Sequence, residues 1–186
     1  AAARRHIVYL HGLDTYGPAW IEIQNRETLR ALAALLGARI ALPRAPGRRW
    51  PRGSVASLEA SLAMVDRAAE ESFPKGASYG VIAFSNAAIM ENEVFARCLR
   101  NRAAWILSVG GDGAVGRETP TDLSGCGTLR LIAGRYDPAR PSAAVFARSL
   151  ALRRADARFT EHPGGHRLPF RETYDVLRQL LGSESP

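Results

Sequence analysis

Short apolar runs alternate with longer amphipathic runs along most of the chain. Runs such as HIVYL at 6–10 and YGVIAF at 79–84 are apolar at nearly every position, which is typical of strands buried on both faces. The predicted strands cover residues 6–10, 38–42, 79–84, 104–109, 129–134 and 157–161. The predicted helices cover residues 25–37, 54–72, 86–99, 141–152 and 169–181. This alternation predicts an α/β fold, in which about six mostly parallel strands form one sheet with helices on both faces.

The spacing of apolar residues predicts which helix faces are buried. The first helix ends at Gly37, and its predicted inward residues are Leu29, Leu32, Leu35 and Leu36. Ser54 is suited to cap the second helix, whose predicted inward residues are Val55, Leu58, Leu62 and Val65. Pro169 suits the first turn of the last helix.

The length of 186 residues predicts a single domain over residues 1–186. Hydrophobic residues make up 46% of the chain, which is enough for a packed core. The formal net charge is +7, but the basic residues are almost all arginines spread along the chain, so we expect no nucleic-acid partner. No apolar run approaches the roughly 20 residues that cross a bilayer, so we expect no membrane span.

Cys98 and Cys126 form no CxxC motif and have no histidine at metal-ligand spacing, so we expect ordinary thiols and no metal. A single disulfide is the alternative if the protein is exported. We expect a cytoplasmic protein. The alternative is an exported one, in which Ala1–Ala3 would be what signal cleavage leaves behind.

Ser85 lies in AFSNAA, where a buried strand is predicted to turn directly into a helix. This is the setting of the G-x-S-x-G nucleophile elbow, with Ala83 and Ala87 at the two glycine positions. The N-terminus of the following helix would direct backbone N–H groups at the reacting atoms, and we predict the Asn86 N–H as an oxyanion donor. The alternative is that Ser85 only caps the helix.

Asp137, in GRYDP, and His166, in PGGH, follow the fifth and sixth predicted strands. At these positions Asp137 can hold the tautomer of His166, which would take the proton of Ser85. The alternatives are Asp112 for the acid and His162 for the base. Because strand ends of a parallel sheet meet at one edge, the order Ser85, Asp137, His166 predicts a catalytic triad.

The first predicted strand ends in His11-Gly12-Leu13. A His-Gly dipeptide at such a strand end commonly precedes the second oxyanion donor, so we assign that role to the Leu13 N–H. We expect His11 to be structural and to bind the loop backbone.

These segments resemble the carboxylesterase, lysophospholipase and acyl-protein thioesterase family of α/β-hydrolases. VYLHGLDTYGPAW resembles the HGLGDTG-type loop of that family, and AFSNAA resembles its G-F-S-x-G-G elbow. GRYDPARP and GGHRLP resemble its acid loop and its histidine loop. The chain departs from the family at Asp14, which replaces a glycine, and leaves no room for a lid domain between the fourth and fifth strands. A minimal cutinase-like or small-lipase-like relative fits equally well. The resemblance implies a minimal, lidless α/β-hydrolase with a Ser-Asp-His triad and no cofactor.

The loop at 43–53 follows a strand end and should overhang the site. Its arginines surround Trp50, and further arginines lie near the predicted acid and base. These arginines are Arg44, Arg48, Arg49, Arg52, Arg135, Arg140 and Arg167. We hypothesise a basic rim that favours an ester or thioester carrying a carboxylate or phosphate, the alternative being that arginine is simply abundant in this chain. The predicted substrate-binding residues are Tyr16, Arg49, Trp50 and Arg167.

The sequence therefore predicts a serine hydrolase that cleaves a small-molecule carboxylic ester through an acyl-serine intermediate. One alternative is an acyl thioesterase with the same triad. The other is a catalytically weak binding protein on a hydrolase scaffold, which the alanines of the elbow leave open.

Overall fold

The computed structural model describes residues 5–13, 20–99 and 102–182. In this part of the chain the strands are β1 (Arg5–Leu10), β2 (Ala38–Ala41), β3 (Gly80–Phe84), β4 (Trp105–Val109), β5 (Thr128–Gly134) and β6 (Asp156–His162). The helices are α1 (Trp20–Leu36), α2 (Val55–Ser72), α3 (Asn86–Ala96), α4 (Arg140–Ala151) and α5 (Phe170–Gly182), with a short 3₁₀ turn at Pro46–Arg48. The strands form one sheet in the order β2-β1-β3-β4-β5-β6, and all neighbours are parallel. The predicted α/β fold is confirmed.

The helices cover both faces of the sheet, because successive strand side chains point to opposite sides. In β1, Ile7 and Tyr9 pack with α1 and α5, whereas Val8 and Leu10 pack with α2 and α3. Helix α4 lies on the same face as α2 and α3, over the β4–β6 half of the sheet. No helix in the described ranges is long and apolar enough to cross a membrane. The helices leave the carboxyl edge of the strands to the loops.

The element boundaries differ from the predicted ones by a few residues. Helix α1 begins at Trp20, earlier than the predicted residue 25. Ser54 caps α2 as predicted, since its Oγ accepts a hydrogen bond of 3.1 Å from the Ser57 N–H. The prediction of buried side chains at Leu35 and Val55 is wrong, because both are exposed. Leu35 lies beside the buried leucine stripe of α1, and Val55 lies in the exposed first turn of α2.

Cys98 and Cys126 form a disulfide, with their Cα atoms 5.2 Å apart, so the expectation of two ordinary thiols is wrong. The bond joins the turn after α3 to the segment before β5. The cysteines are 28 residues apart in sequence, and closing a loop of this size stabilises a folded chain by about 3.6 kcal/mol in the chain-entropy model. Tertiary packing brings the two thiols together.

Glu91 is the fully buried carboxyl group of α3. Burial raises the pKa of Glu91 to about 8, and the nearby Asp66 carboxyl on α2 adds to the effect. The folded protein therefore keeps a proton on Glu91 near neutral pH, where the unfolded chain has released it.

This difference predicts a pH-dependent stability that Glu91→Gln removes. The free energy of unfolding should fall as the pH rises from about 5 to about 8, and it should level off above the folded pKa. Over this range the stability of Glu91→Gln should increase relative to the wild type by on the order of 3 to 4 kcal/mol. Urea unfolding followed by circular dichroism measures both proteins.

The matched control is Glu59→Gln, which removes an exposed carboxyl group of α2. Its stability should follow that of the wild type at every pH. Parallel stability curves for Glu91→Gln and the wild type would show that the Glu91 carboxyl does not hold the extra proton.

Candidate active site

Ser85 occupies a strained turn between β3 and α3. Its backbone angles are φ 54° and ψ −113°, a conformation that residues other than glycine rarely adopt. The Ser85 N–H donates to the carbonyl of Val109 at 2.9 Å, so the turn is held against the end of β4. The Ser85 hydroxyl makes no capping hydrogen bond to α3, which removes the support for a capping role.

Small residues surround the turn on every side. Ala83 and Ala87 are fully buried at the positions of the elbow glycines. Two glycines leave space for Ser85 and for the first turn of α3. A Cβ at Gly12 would lie 3.1 Å from the Cβ of Ser85, and a Cβ at Gly111 would overlap Ala88. The close approach of the backbones thus depends on glycines in the loops after β1 and β4 as well as on small residues in the elbow.

His166 and Asp137 are joined by a hydrogen bond between Nδ1 and Oδ2 of 2.9 Å. The Asp137 carboxyl is buried, and its Oδ1 accepts a second bond of 2.9 Å from the Ala139 N–H. Burial opposes ionisation of Asp137, but the hydrogen bonds from His166 and Ala139 outweigh it and lower its pKa. Because an ionised carboxylate only accepts, Nδ1 carries the hydrogen and Nε2 of the neutral ring is left as the basic nitrogen.

The imidazole of His166 lies over the bare backbone at the end of β4. A Cβ at Gly110 would be 2.8 Å from Nδ1 of His166 and 3.0 Å from Oδ2 of Asp137. On its other side the ring contacts Phe84, with a centroid distance of 4.8 Å. Gly110, which has φ 64°, therefore provides the space in which the histidine and the acid meet.

The alternative base, His162, and the alternative acid, Asp112, take no part in the Asp137–His166 pair. His162 is buried, and its Nδ1 accepts a hydrogen bond of 3.1 Å from the Gly164 N–H, which ties down the loop that carries His166. Burial lowers the pKa of His162. Asp112 is exposed and borders a pocket that contains neither Ser85 nor His166.

His11 joins the first loop to the segment that follows β2. Its Nε2 accepts from the Ala45 N–H at 3.1 Å, so Nδ1 carries the hydrogen and donates to the Gly12 carbonyl at 2.6 Å. These bonds agree with the structural role expected of His11. Leu13 and Asn86, the predicted oxyanion donors, both border a pocket that includes Ser85.

The loop at 43–53 lies beside the site, but the structure gives Trp50 a supporting position rather than the predicted one on the rim. Only 1% of Trp50 is exposed, and its Nε1–H donates to the His11 carbonyl at 3.1 Å. The Trp50 N–H donates to Oδ1 of Asn86 at 2.8 Å. These two bonds fasten the loop to the end of β1 and to the elbow, and burial of the large apolar ring of Trp50 adds to their stability.

The other predicted substrate-binding residues are separated by the fold. Arg49 borders a pocket with Ser85, whereas Arg167 borders a different pocket with His162 and Leu168. Tyr16 lies outside the described residues.

Several arginines of the hypothesised rim are paired with carboxylates. Arg135 and Arg140 both bind Glu161, and Arg52 binds Glu93 at 3.2 Å. In these exposed ion pairs the carboxylate offsets the positive charge of the arginine locally. The rim therefore has fewer unpaired arginines than the sequence predicted.

Ser85 lies between two pockets. One, of about 360 Å³, includes His166, and the other, of about 780 Å³, includes Asn86 and Ile89. The first also contains Glu22 and Arg26 of α1, which the sequence did not single out; Glu22 lies before residue 25, where this helix was predicted to begin. The i, i+4 spacing of this charged pair was the available signal.

Among the described residues no cluster of three histidine, cysteine or acidic side chains could hold a metal ion.

No protein-family model matches the sequence, and no curated protein matches it. Solved structures do match. A carboxylesterase from Mesorhizobium loti aligns with a TM-score of 0.66 and 20% identity, over 96% of this chain and 88% of that chain. Acyl-protein thioesterase 2 of Zea mays aligns with a TM-score of 0.66 and 17% identity, over 98% and 94% of the two chains. The structure of YahD with malic acid aligns with a TM-score of 0.68 and 16% identity, over 97% and 94%.

The similarity to these structures agrees with the six-stranded parallel sheet and the helices that follow its strands. The chain therefore has the α/β-hydrolase fold that its motifs implied.

Proposed function

We propose that the protein is a serine hydrolase that cleaves a carboxylic ester through an acyl-serine intermediate. The observation that carries this proposal is the Asp137–His166 hydrogen bond of 2.9 Å, with His166 bordering the same pocket as Ser85. The strained backbone of Ser85 supports it, because such strain is typical of a nucleophile held at a turn. The similarity in fold to a carboxylesterase is consistent with it.

In the proposed reaction His166 Nε2 takes the proton of Ser85 as its Oγ attacks the ester carbonyl. Asp137 stays ionised, orients the ring through Nδ1 and stabilises the imidazolium that forms. The N–H groups of Leu13 and Asn86 stabilise the oxyanion. When the intermediate collapses, His166 returns the proton to the leaving alcohol, and it then activates the water that releases the acid.

A thioesterase is the second candidate, because the fold is also that of a maize acyl-protein thioesterase. The same residues would attack a thioester and protonate the leaving thiol. Esters and thioesters of one acyl group, compared by kcat/KM, distinguish the two activities.

Ser85→Ala should abolish labelling by a fluorophosphonate probe, since the probe reacts only with an activated serine. Gel fluorescence after a short exposure measures the labelling. Ser124→Ala, in an exposed turn before β5, is the control and should label like the wild type. Labelling that persists in Ser85→Ala would show that another residue is the nucleophile.

Asp137→Asn should lower kcat by about 10³- to 10⁴-fold, because an amide no longer holds the tautomer in which Nε2 is basic. The fold should survive, since Asn can still accept the Ala139 N–H bond. Asp112→Asn is the matched control and should change kcat by less than about threefold. If Asp112→Asn caused the larger loss, Asp112 would be the acid.

Gly110→Ala should lower kcat by about 10²-fold, because the new Cβ displaces the His166 ring. Gly127→Ala separates this effect from backbone strain, as Gly127 also has positive φ (91°) but opens into free space. Both variants should lose stability, and Gly127→Ala should keep its activity. Equal activity in the two variants, with circular dichroism showing both folded, would contradict the tight fit at Gly110.

A further inference from the structure

The pocket that Ser85 shares with His166 contains two arginine side chains, Arg26 from α1 and Arg44 from the segment after β2. Arg44 forms no ion pair with any residue in the described ranges. Among the described residues the ion-pair partner of Arg26 is Glu22, with 3.9 Å between Nε and Oε1, which is too long for a hydrogen bond. These charges lie beside the proposed nucleophile and contrast with the paired arginines around Glu161.

Glu22 adds a carboxyl group to the lining of this pocket. It is only 8% exposed, and its Oε2 accepts a hydrogen bond of 3.0 Å from the Tyr9 hydroxyl. Its Oε1 is buried and has no hydrogen-bond partner among the described residues. A buried oxygen without a partner costs free energy, and an ionised carboxyl oxygen only accepts, so a hydrogen-bond donor on a ligand would satisfy it, whereas an anionic group would bind the arginines.

Burial raises the pKa of Glu22, with Tyr9 and the charges of His11 and Arg26 acting against the rise. The pocket is lined by two guanidinium groups and one carboxyl group, so its lining has an excess of positive charge even where Glu22 is ionised.

The arginines also enclose a smaller recess of about 160 Å³ next to the pocket. His11, Glu22, Arg26 and Arg44 border both spaces. A small anion in the recess would meet guanidinium groups from two elements, and guanidinium binds a planar carboxylate through paired hydrogen bonds.

The proposed mechanism indicates which part of the substrate enters this pocket. The leaving alcohol must lie beside His166, because that residue returns the proton to it. His166 borders the pocket of Arg26 and Arg44 but not the larger pocket of Asn86 and Ile89. The leaving group therefore extends toward the arginines, and the acyl group occupies the larger pocket.

We propose that Arg26 and Arg44 form a carboxylate-binding subsite, so that the substrate is an ester whose alcohol part carries a carboxylate. This inference rests on the proposed esterase function. A single negative charge fits better than a phosphate dianion, because the Glu22 carboxyl group lies next to Arg26.

Two matched ester pairs test the proposal at low salt. The first pair, 4-carboxyphenyl acetate and its methyl ester, differs in charge on the leaving group. The second pair, phenyl hydrogen succinate and phenyl butyrate, differs in charge on the acyl group. The quantity compared is the ratio of kcat/KM for the charged ester to kcat/KM for the neutral ester, measured in each protein variant. Comparing variants cancels the intrinsic reactivity of the esters.

Arg44→Gln and Arg26→Gln should each lower the ratio for the first pair about five- to tenfold, mainly through KM, and should leave the second ratio unchanged. Arg39→Gln removes the same charge from the exposed face of the edge strand β2 and should change neither ratio. Unchanged ratios in both pocket variants overturn the subsite. A fall in only the second ratio overturns the assignment to the alcohol part.

Failure of the proposed function would look different. In that case the wild type would hydrolyse none of the four esters, and the subsite would be judged by calorimetric binding of 4-hydroxybenzoate, the alcohol product of the charged acetate. Binding that weakens about five- to tenfold in Arg44→Gln but not in Arg39→Gln supports the subsite. Equal binding to the wild type and Arg44→Gln overturns it.

Discussion

The proposed site depends on a bare stretch of backbone at the end of β4. Ser85 follows β3, whereas Asp137 and His166 follow β5 and β6, so β4 runs between the serine and its two partners. A side chain at Gly110 would occupy the space where the imidazole meets the Asp137 carboxylate. The histidine can reach toward the serine only because the intervening strand ends without a side chain at that position.

Backbone hydrogen bonds beyond the strand ends hold this spacing. They join Ser85 N to Val109 O at 2.9 Å, Gly110 N to Ile132 O at 2.9 Å, and Arg135 N to His162 O at 2.8 Å. The ladder of the sheet thus continues into the loops that carry the proposed catalytic groups. On the other side of Ser85, Trp50 and the neutral His11 fasten the loop at 43–53 to the first strand end. The pocket walls are therefore extensions of rigid elements, which is the arrangement that preorganised chemistry requires.

Much of this arrangement could be predicted from the sequence, because strand ends of a parallel sheet meet at one edge. The positions of Ser85, Asp137 and His166 after predicted strands were sufficient for that inference. The Cys98–Cys126 disulfide could not be predicted, since it depends on how the end of α3 packs beside the start of β5. The burial of Trp50 was missed because an aromatic residue among arginines has the same local pattern on a rim as in a core.

The proposed acyl-serine mechanism is tested most directly by the chemical state of Ser85 during turnover. The enzyme is mixed with an excess of an activated ester and quenched rapidly with acid. Mass spectrometry of its peptides then detects any covalent acyl adduct. We expect an added acyl mass on the peptide that contains Ser85, formed within the first turnover. Ester hydrolysis with no adduct there, or with the adduct on another residue, would contradict it.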